Sequence, residues 1–152
     1  MSFQEKRSVA IMVAGITIFA VYFAIVLSRY RALPPAAAAD AGQMLRFWAA
    51  AMLILIPVSV VAHIIILILF MIVYHATASE DAPDFEDERD KLIELKADRI
   101  AHVIFMIGFV AAMAAVVLNL SVTGMFVAFA VSGLIAEVAG EAAKIRYYRR
   151  GV

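Results

Sequence analysis

Two carboxylates, Glu137 and Glu141, lie four residues apart in the last apolar stretch of the chain, GLIAEVAGEAAKIRYYRRGV. This spacing places both on one face of a helix. If the stretch crosses a membrane and reaches its surface near Lys144, Glu141 lies about 5 Å and Glu137 about 10 Å below that surface. An ionisable group at such a depth needs a partner, water or a proton, which makes both residues candidates for binding a proton or a cation. The alternative is that both line the inner end of a packed helix.

His63 is a second candidate, because it lies near the middle of another apolar stretch, four residues after Ser59 and just past Pro57. Histidine titrates near neutral pH and can bind metals, so one hypothesis is a proton relay or metal ligand. The structural alternative is a hydrogen bond to Ser59, or to a carbonyl that Pro57 leaves without its helical donor.

His102 lies one turn into a third apolar stretch, at a depth like that of Glu141. If the last two stretches form a hairpin, a site built from His102, Glu137 and Glu141 is geometrically permitted. A metal role stays open at this point, since zinc usually takes three or four close ligands.

Small residues recur on the helix that carries both glutamates. Ser132, Ala136 and Gly140 follow one another at four-residue spacing, and Gly133 lies beside this row. Small side chains allow the backbones of two membrane helices to approach closely. We therefore expect a helix-packing surface here and self-association of the protein.

The composition favours a membrane protein over a soluble domain. Hydrophobic residues make up 65% of the 152 residues and charged residues only 17%, whereas soluble domains are about half apolar and a quarter charged. The formal net charge is zero, which offers no field for nucleic acid. The chain has no cysteine, so disulfides and thiolate metal sites are excluded.

Four apolar stretches, about residues 8–28, 47–74, 100–120 and 123–143, are each long enough to span a bilayer, which needs about 20 helical residues. The predicted fold is all-α, a single membrane domain over residues 1–152 with four transmembrane helices. The connection 119–124 is so short that the last two spans must be antiparallel neighbours. Pro57 is expected to bend the second span, and Tyr30, Phe47 and Trp48 to lie at the outer membrane interface.

The basic residues predict the orientation. Lys and Arg are concentrated before the first span, in residues 79–99 and after the last span, whereas the connection between the first two spans holds only Arg29, Arg31 and Arg46. By the positive-inside rule, both termini and residues 79–99 are cytoplasmic.

Residues 79–99 form the one long polar segment and predict a charged cytoplasmic helix over about 84–99, with Asp84 as its N-cap. Such a helix is either a solvated surface or a docking surface for a partner protein. The candidate docking residues are Glu88, Arg89, Lys91, Glu94 and Lys96.

DERDKLIELKADRIA, residues 87–101, followed by a hairpin and a terminal YYRRG, resembles a family of small multi-span bacterial membrane proteins without an assigned activity. Its E-R-x-x-x-I-x-x-K segment corresponds here to Glu88, Arg89, Ile93 and Lys96. The resemblance covers the second half of the chain. It implies a bacterial inner-membrane origin and a cytoplasmic charged helix.

These features predict a non-enzymatic membrane protein that scaffolds or regulates through helix packing and its charged helix. One alternative is a small proton- or cation-coupled transporter centred on Glu137, with His63, His102 and Glu141 in support. Another is a membrane metal-binding protein. The expected partners are the lipid bilayer and either a second copy or another membrane protein. No motif indicates an enzyme, a cofactor or nucleic acid binding.

Overall fold

The computed structural model describes residues 2–77 and 87–151, and these residues are helical apart from short connections. The helices are α1 (Phe3–Arg31), α2 (Pro35–Ala39), α3 (Ala41–Thr77), α4 (Glu88–Val117) and α5 (Val122–Arg150). The predicted all-α fold is confirmed over the described residues. In that part of the chain four helices, α1, α3, α4 and α5, are long and apolar enough to cross a membrane.

The connection between the first two spans is more helical than expected. α1 continues to Arg31, α2 follows, and α3 begins at Ala41, six residues before the predicted span. Asp40 explains this early start, because its Oδ1 accepts hydrogen bonds from the backbone N–H groups of Gly42 (2.7 Å) and Gln43 (3.1 Å). α3 also runs through Pro57 without ending there.

The predicted charged helix and the third span form one continuous helix, α4. The structure begins it at Glu88, where the Asp87 carboxylate accepts from the Glu88 N–H at 2.7 Å. The proposed N-cap Asp84 lies outside the described residues. After α4, Asn119 adopts a left-handed conformation (φ 56°), and the Ser121 hydroxyl accepts from the Gly124 N–H at 3.0 Å to begin α5. Asparagine tolerates this conformation, which lets the chain reverse in a few residues.

α5 is the central helix, since it packs against α4, α1 and α3. Its closest approach is to α4, where a Cβ added to Gly108 would lie 2.0 Å from the Cβ of Ser132. One end of the bundle holds the connections 32–40 and 118–121, and we call it the hairpin end. The other end, which holds the start of α1, the start of α4 and the last turns of α5, we call the terminal end.

The hairpin end is held by an aromatic cluster around Trp48. Trp48 is fully buried, and its indole N–H donates to the Thr123 hydroxyl of α5 at 3.0 Å. The ring packs against side chains of α1, α3 and α5, among them Phe23, Phe47 and Phe126. Trp48 thus forms part of the core at the hairpin end, between α1, α3 and α5.

The terminal end joins the helices by polar and aromatic contacts. Gln4 of α1 donates to Asp90 of α4 at 3.3 Å, and the Arg149 guanidinium of α5 lies 3.7 Å from the Glu5 carboxylate. The Phe3 ring packs edge-on against Tyr74 of α3, with centroids 4.7 Å apart. The start of α1 is therefore anchored to α3, α4 and α5 at once.

Candidate functional site

His63 of α3 and Glu137 of α5 meet between the helices, with His63 Nε2 at 2.8 Å from Glu137 Oε1. The other ring nitrogen, Nδ1, lies 2.8 Å from the Ser59 carbonyl oxygen. A carbonyl oxygen only accepts hydrogen bonds, so Nδ1 carries a hydrogen and donates it. Nε2 and Oε1 can then bond only if a second proton lies on one of them. In this geometry the pair therefore holds one proton in addition to the one on Nδ1. This proton lies either on Nε2, beside a carboxylate, or on Oε1, beside a neutral imidazole.

The sequence placed His63 beside Ser59, and the structure specifies which atoms meet. Nδ1 contacts the Ser59 carbonyl, while the Ser59 hydroxyl donates to the Ile56 carbonyl at 2.9 Å. A donated hydrogen bond from one ring nitrogen sets the tautomer at the other. The α3 backbone therefore orients the imidazole so that Nε2 points at α5.

Gly15 of α1 provides the space for the Glu137 carboxylate. A Cβ added to Gly15 would lie 2.4 Å from Glu137 Oε1 and 2.9 Å from its Cδ, closer than van der Waals contact allows. Any larger residue at position 15 would force the carboxylate away from His63. Three helices thus build the pair: α5 supplies the acid, α3 the imidazole and α1 the gap.

A partly open cavity of about 300 Å³ lies beside this pair. Its wall is mostly apolar and includes the rings of Phe19, Phe105 and Phe129. Gly133 also lines it, and a Cβ added there would meet no atom within 4 Å. The side chains of His63 and Glu137 are 29% and 34% exposed, so the pair is accessible from the cavity. An apolar space with one acid at its wall fits a ligand that is both apolar and positively charged.

Glu141 lies one turn nearer the terminal end, in a separate polar cluster. Its Oε1 accepts from the Lys144 ammonium at 2.9 Å, and Lys144 also lies 3.8 Å from the Glu94 carboxylate. Tyr148, beyond the predicted span 123–143, belongs to the same cluster. Burial raises the pKa of Tyr148 to about 12, and the hydrogen-bonded carboxylate of Asp90 adds to this shift, so the phenol stays neutral near pH 7.

His102 is not part of either group. It lies on the exposed side of α4, because its neighbour Ala101 faces α5 and contacts Gly140. The site of His102, Glu137 and Glu141 that the sequence allowed is therefore not formed. His63 is the histidine that meets Glu137. Within residues 2–77 and 87–151, no three His, Asp or Glu side chains lie close enough to hold a metal ion.

The small-residue row lies at the interface with α4. Ser132, Ala136 and Gly140 are all buried there or close to it, with Ser132 against Gly108 and Gly140 against Ala101. Gly133 lies on the cavity side instead. The close approach is between helices of one chain, so this row is already occupied and is not free for self-association.

The candidate docking residues lie on the part of α4 before its apolar stretch. Ile93 and Ala97 are fully buried against the bundle and fix the rotation of this segment. The candidate residues all have exposed side chains: Glu88, Arg89, Lys91, Glu94 and Lys96. Glu94 differs from the others because it lies near Lys144 of α5.

Gly15 and the three cavity phenylalanines were missed as candidate residues. A glycine in the middle of an apolar span was the available signal for Gly15, since glycine there commonly marks a close approach. The phenylalanines carried no comparable signal, because aromatic residues are frequent in every apolar span.

The fold and the site together define an all-helical, multi-pass protein with an acid–imidazole pair inside its apolar spans. Comparison of the chain with protein-family models, curated proteins and solved structures found no match.

Proposed function

We propose that this protein is a small membrane transporter in which the Glu137–His63 pair binds a proton in exchange for an apolar cation. The observation that carries the proposal is the 2.8 Å contact between His63 Nε2 and Glu137 Oε1 at the wall of a 300 Å³ apolar cavity. The role is non-enzymatic, and the site resides in the bacterial inner membrane with both termini cytoplasmic.

The charge distribution supports this orientation. The basic residues at the start of α1, along α4 and at the end of α5 gather at the terminal end, where Gln4 meets Asp90 and Glu5 meets Arg149. Large aliphatic side chains face outward along the apolar spans, for example Leu53 (68% exposed) and Val117 (80% exposed). Such outward surfaces are stable against lipid and unfavourable in water.

Proton and cation compete in this arrangement because both use the same carboxylate. While a proton lies between Oε1 and Nε2, the two side chains are hydrogen-bonded to each other and together carry no net negative charge. A cation entering among Phe19, Phe105 and Phe129 gains the negative charge of Glu137 only when that proton leaves. Mutually exclusive binding of this kind is the physical basis of exchange across a membrane.

The orientation is testable because the chain has no cysteine. Arg150→Cys and Leu120→Cys place single thiols at the terminal and hairpin ends. An impermeant maleimide added outside intact bacterial cells should label Leu120→Cys and leave Arg150→Cys unlabelled until the membrane is opened. The reverse pattern would contradict cytoplasmic termini.

The exchange is tested with purified protein in weak buffer, using benzyltrimethylammonium as the apolar cation. Binding should release a proton, seen with a pH indicator, and a proton gradient should drive uptake of the cation into proteoliposomes. Glu137→Gln should abolish both signals, since the amide cannot ionise. Asp98→Gln serves as the matched control, because Asp98 is an exposed acid on α4. Equal uptake by Glu137→Gln and the natural sequence would overturn the proposal.

A scaffolding or regulatory role is the second candidate, and the exposed surface of α4 favours it. Leu92 and Leu95 are 45% and 68% exposed on the same segment as the charged docking residues. Exposed leucines among charges are typical of a helix that lies against a partner or a membrane surface.

This second function predicts that a photo-reactive residue at Leu95 cross-links to a partner in cells, either a second copy or another membrane protein. Arg89→Glu with Lys91→Glu should remove the cross-link, and Glu137→Gln should leave it. If only lipid is captured at position 95, the scaffold is rejected.

A further inference from the structure

Glu141 has a buried carboxylate oxygen that takes no part in the Glu137–His63 pair. Its side chain is only 9% exposed, and Oε1 is bound by Lys144. Oε2 is buried and has no hydrogen-bond partner among the described residues. A buried carboxylate oxygen without a partner is unfavourable, so this atom calls for water or a proton.

A small cavity lies at this carboxylate. Its volume is about 40 Å³, and it is bounded by α1, α4 and α5 at the terminal end. The polar side chains along its wall are those of Gln4, Arg7, Ser8, Asp90, Glu94, Lys144 and Tyr148, together with Glu141. A cavity needs about 10 to 15 Å³ to hold one water molecule, so this one has room for water beside the Glu141 side chain.

The cavity lies on the path from the terminal end to Glu137. On α1, Ser8 and Ile11 line the cavity, and Gly15, one turn beyond Ile11, contacts the Glu137 carboxylate. On α5, Glu141 and Glu137 are separated by one turn, about 6 Å along the axis. The two acids therefore follow the same groove between α1 and α5, with Ile11 as the apolar side chain on the α1 side.

We propose that Glu141 passes protons between water at the terminal end and the Glu137–His63 pair. A proton from a hydronium ion in the cavity binds Glu141 Oε2 and leaves a water molecule. When a cation is bound and the Glu137–His63 pair lacks its proton, Glu141 gives a proton through one bridging water to Glu137 and returns to its carboxylate form, and the cation is released. This inference rests on the proposed function, for which it supplies the cytoplasmic access route.

Both forms of Glu141 have partners in this cluster. The carboxylate form accepts a hydrogen bond from the Lys144 ammonium. The acid form gains an O–H group, which can donate to water once the side chain turns Oε2 towards the cavity. Charged and titratable groups face Glu141 from every neighbouring helix: Arg7 from α1, Asp90 and Glu94 from α4, Lys144 and Tyr148 from α5, with Glu137 and His63 one turn deeper. The positive charges of Arg7 and Lys144 match in number the negative charges of Asp90 and Glu94.

The test measures the rate of proton entry. Proteoliposomes with an internal pH dye and benzyltrimethylammonium inside receive a rapid drop in external pH, and the dye reports the rate. Glu141→Gln should slow it by about 10²-fold, the contribution of a positioned proton-transfer group. Asp98→Gln is the control, since Asp98 is an exposed acid on the same segment of α4 and does not line the cavity, and its rate should stay close to that of the natural sequence.

Chemical rescue distinguishes proton transfer from a structural role. Added formic acid, a small proton carrier, should restore the rate of Glu141→Gln because it replaces the missing group without repairing the fold. The rate is taken as the excess over vesicles that carry Glu137→Gln, which corrects for formic acid that crosses the lipid by itself. A slowed rate that formic acid does not restore would overturn the proposal, and so would an unchanged rate.

A second variant covers the case in which Glu141→Gln does not fold. Ile11→Ala widens the groove between the two acids, and it should speed proton entry. No change or a slower rate in Ile11→Ala would overturn the relay. Glu137→Gln separates the two proposals: if it keeps exchange, the proposed transporter fails, whereas if it abolishes exchange while Glu141→Gln is normal, only the relay fails.

Discussion

The two sides of α5 differ in how closely they are packed. Towards α4, Ser132 and Gly140 leave almost no space, and the backbone of Gly108 touches a side chain. Towards α1 and α3, Gly133 faces open space and Glu137 meets His63 beside a cavity of 300 Å³. In a bilayer, helices associate through van der Waals packing and hydrogen bonds rather than through exclusion of water. The side towards α4 is therefore the tightly packed one, and the other side holds the cavity that we propose binds a ligand.

Gly108→Ala should break the tight side and give the largest effect. Its Cβ would lie 2.0 Å from the Ser132 Cβ, so α4 and α5 would have to separate. We expect the free energy of unfolding to fall by about 3 kcal/mol, as for strong overpacking. Denaturation of the protein in mixed micelles measures this.

Ser132→Gly provides the matching control for that clash. In the double variant Gly108→Ala with Ser132→Gly, the Cβ atom that causes the clash is absent, so most of the lost stability should return. A double variant as unstable as Gly108→Ala alone would show that the two residues are not in contact.

Gly15→Ala should disturb the open side by moving one side chain. The new Cβ would displace the Glu137 carboxylate, a flexible group that can rotate, so the helices need not separate. Loss of its bond to His63 should cost about 1.5 to 3 kcal/mol, typical of a hydrogen bond with a charged partner. The nitrogen-15 chemical shift of His63 Nε2 reports the contact, and an unchanged shift would contradict the assigned role of Gly15.

Thr123→Val tests the aromatic cluster, which joins the two sides at the hairpin end. The valine keeps the shape of threonine but leaves the buried N–H of Trp48 without an acceptor. The expected loss of stability is about 1 kcal/mol. Trp48 is the single tryptophan, so its fluorescence reports the change directly. Unaltered stability and emission would show that the indole N–H does not depend on Thr123.

The fold was predictable where bilayer thickness determines it. Four apolar stretches of sufficient length indicated four helices, and the short segment around Asn119 required a hairpin. The pairing of side chains was not predictable, because each residue turns a helix by about 100° and hydropathy does not report that rotation. For this reason both His63 and His102 were expected to support Glu137, and the three-residue site was built with His102, although His63 is the histidine that meets Glu137. Matching the depths of His63 and Glu137, both well inside their spans, would have favoured the correct pair.

Gly133→Ala should give the smallest effect on stability and the opposite sign to Gly108→Ala. A Cβ at this position meets no atom within 4 Å, and alanine favours a helix over glycine by about 0.5 to 1 kcal/mol. The variant should therefore unfold at a slightly higher denaturant concentration in the same micelle assay. Gly133→Phe, which fills the cavity, should remove benzyltrimethylammonium binding while the His63–Glu137 contact persists in the nitrogen-15 spectrum. If Gly133→Ala destabilised the protein as much as Gly108→Ala, the two sides of α5 would be packed alike and the cavity would have no space for a ligand.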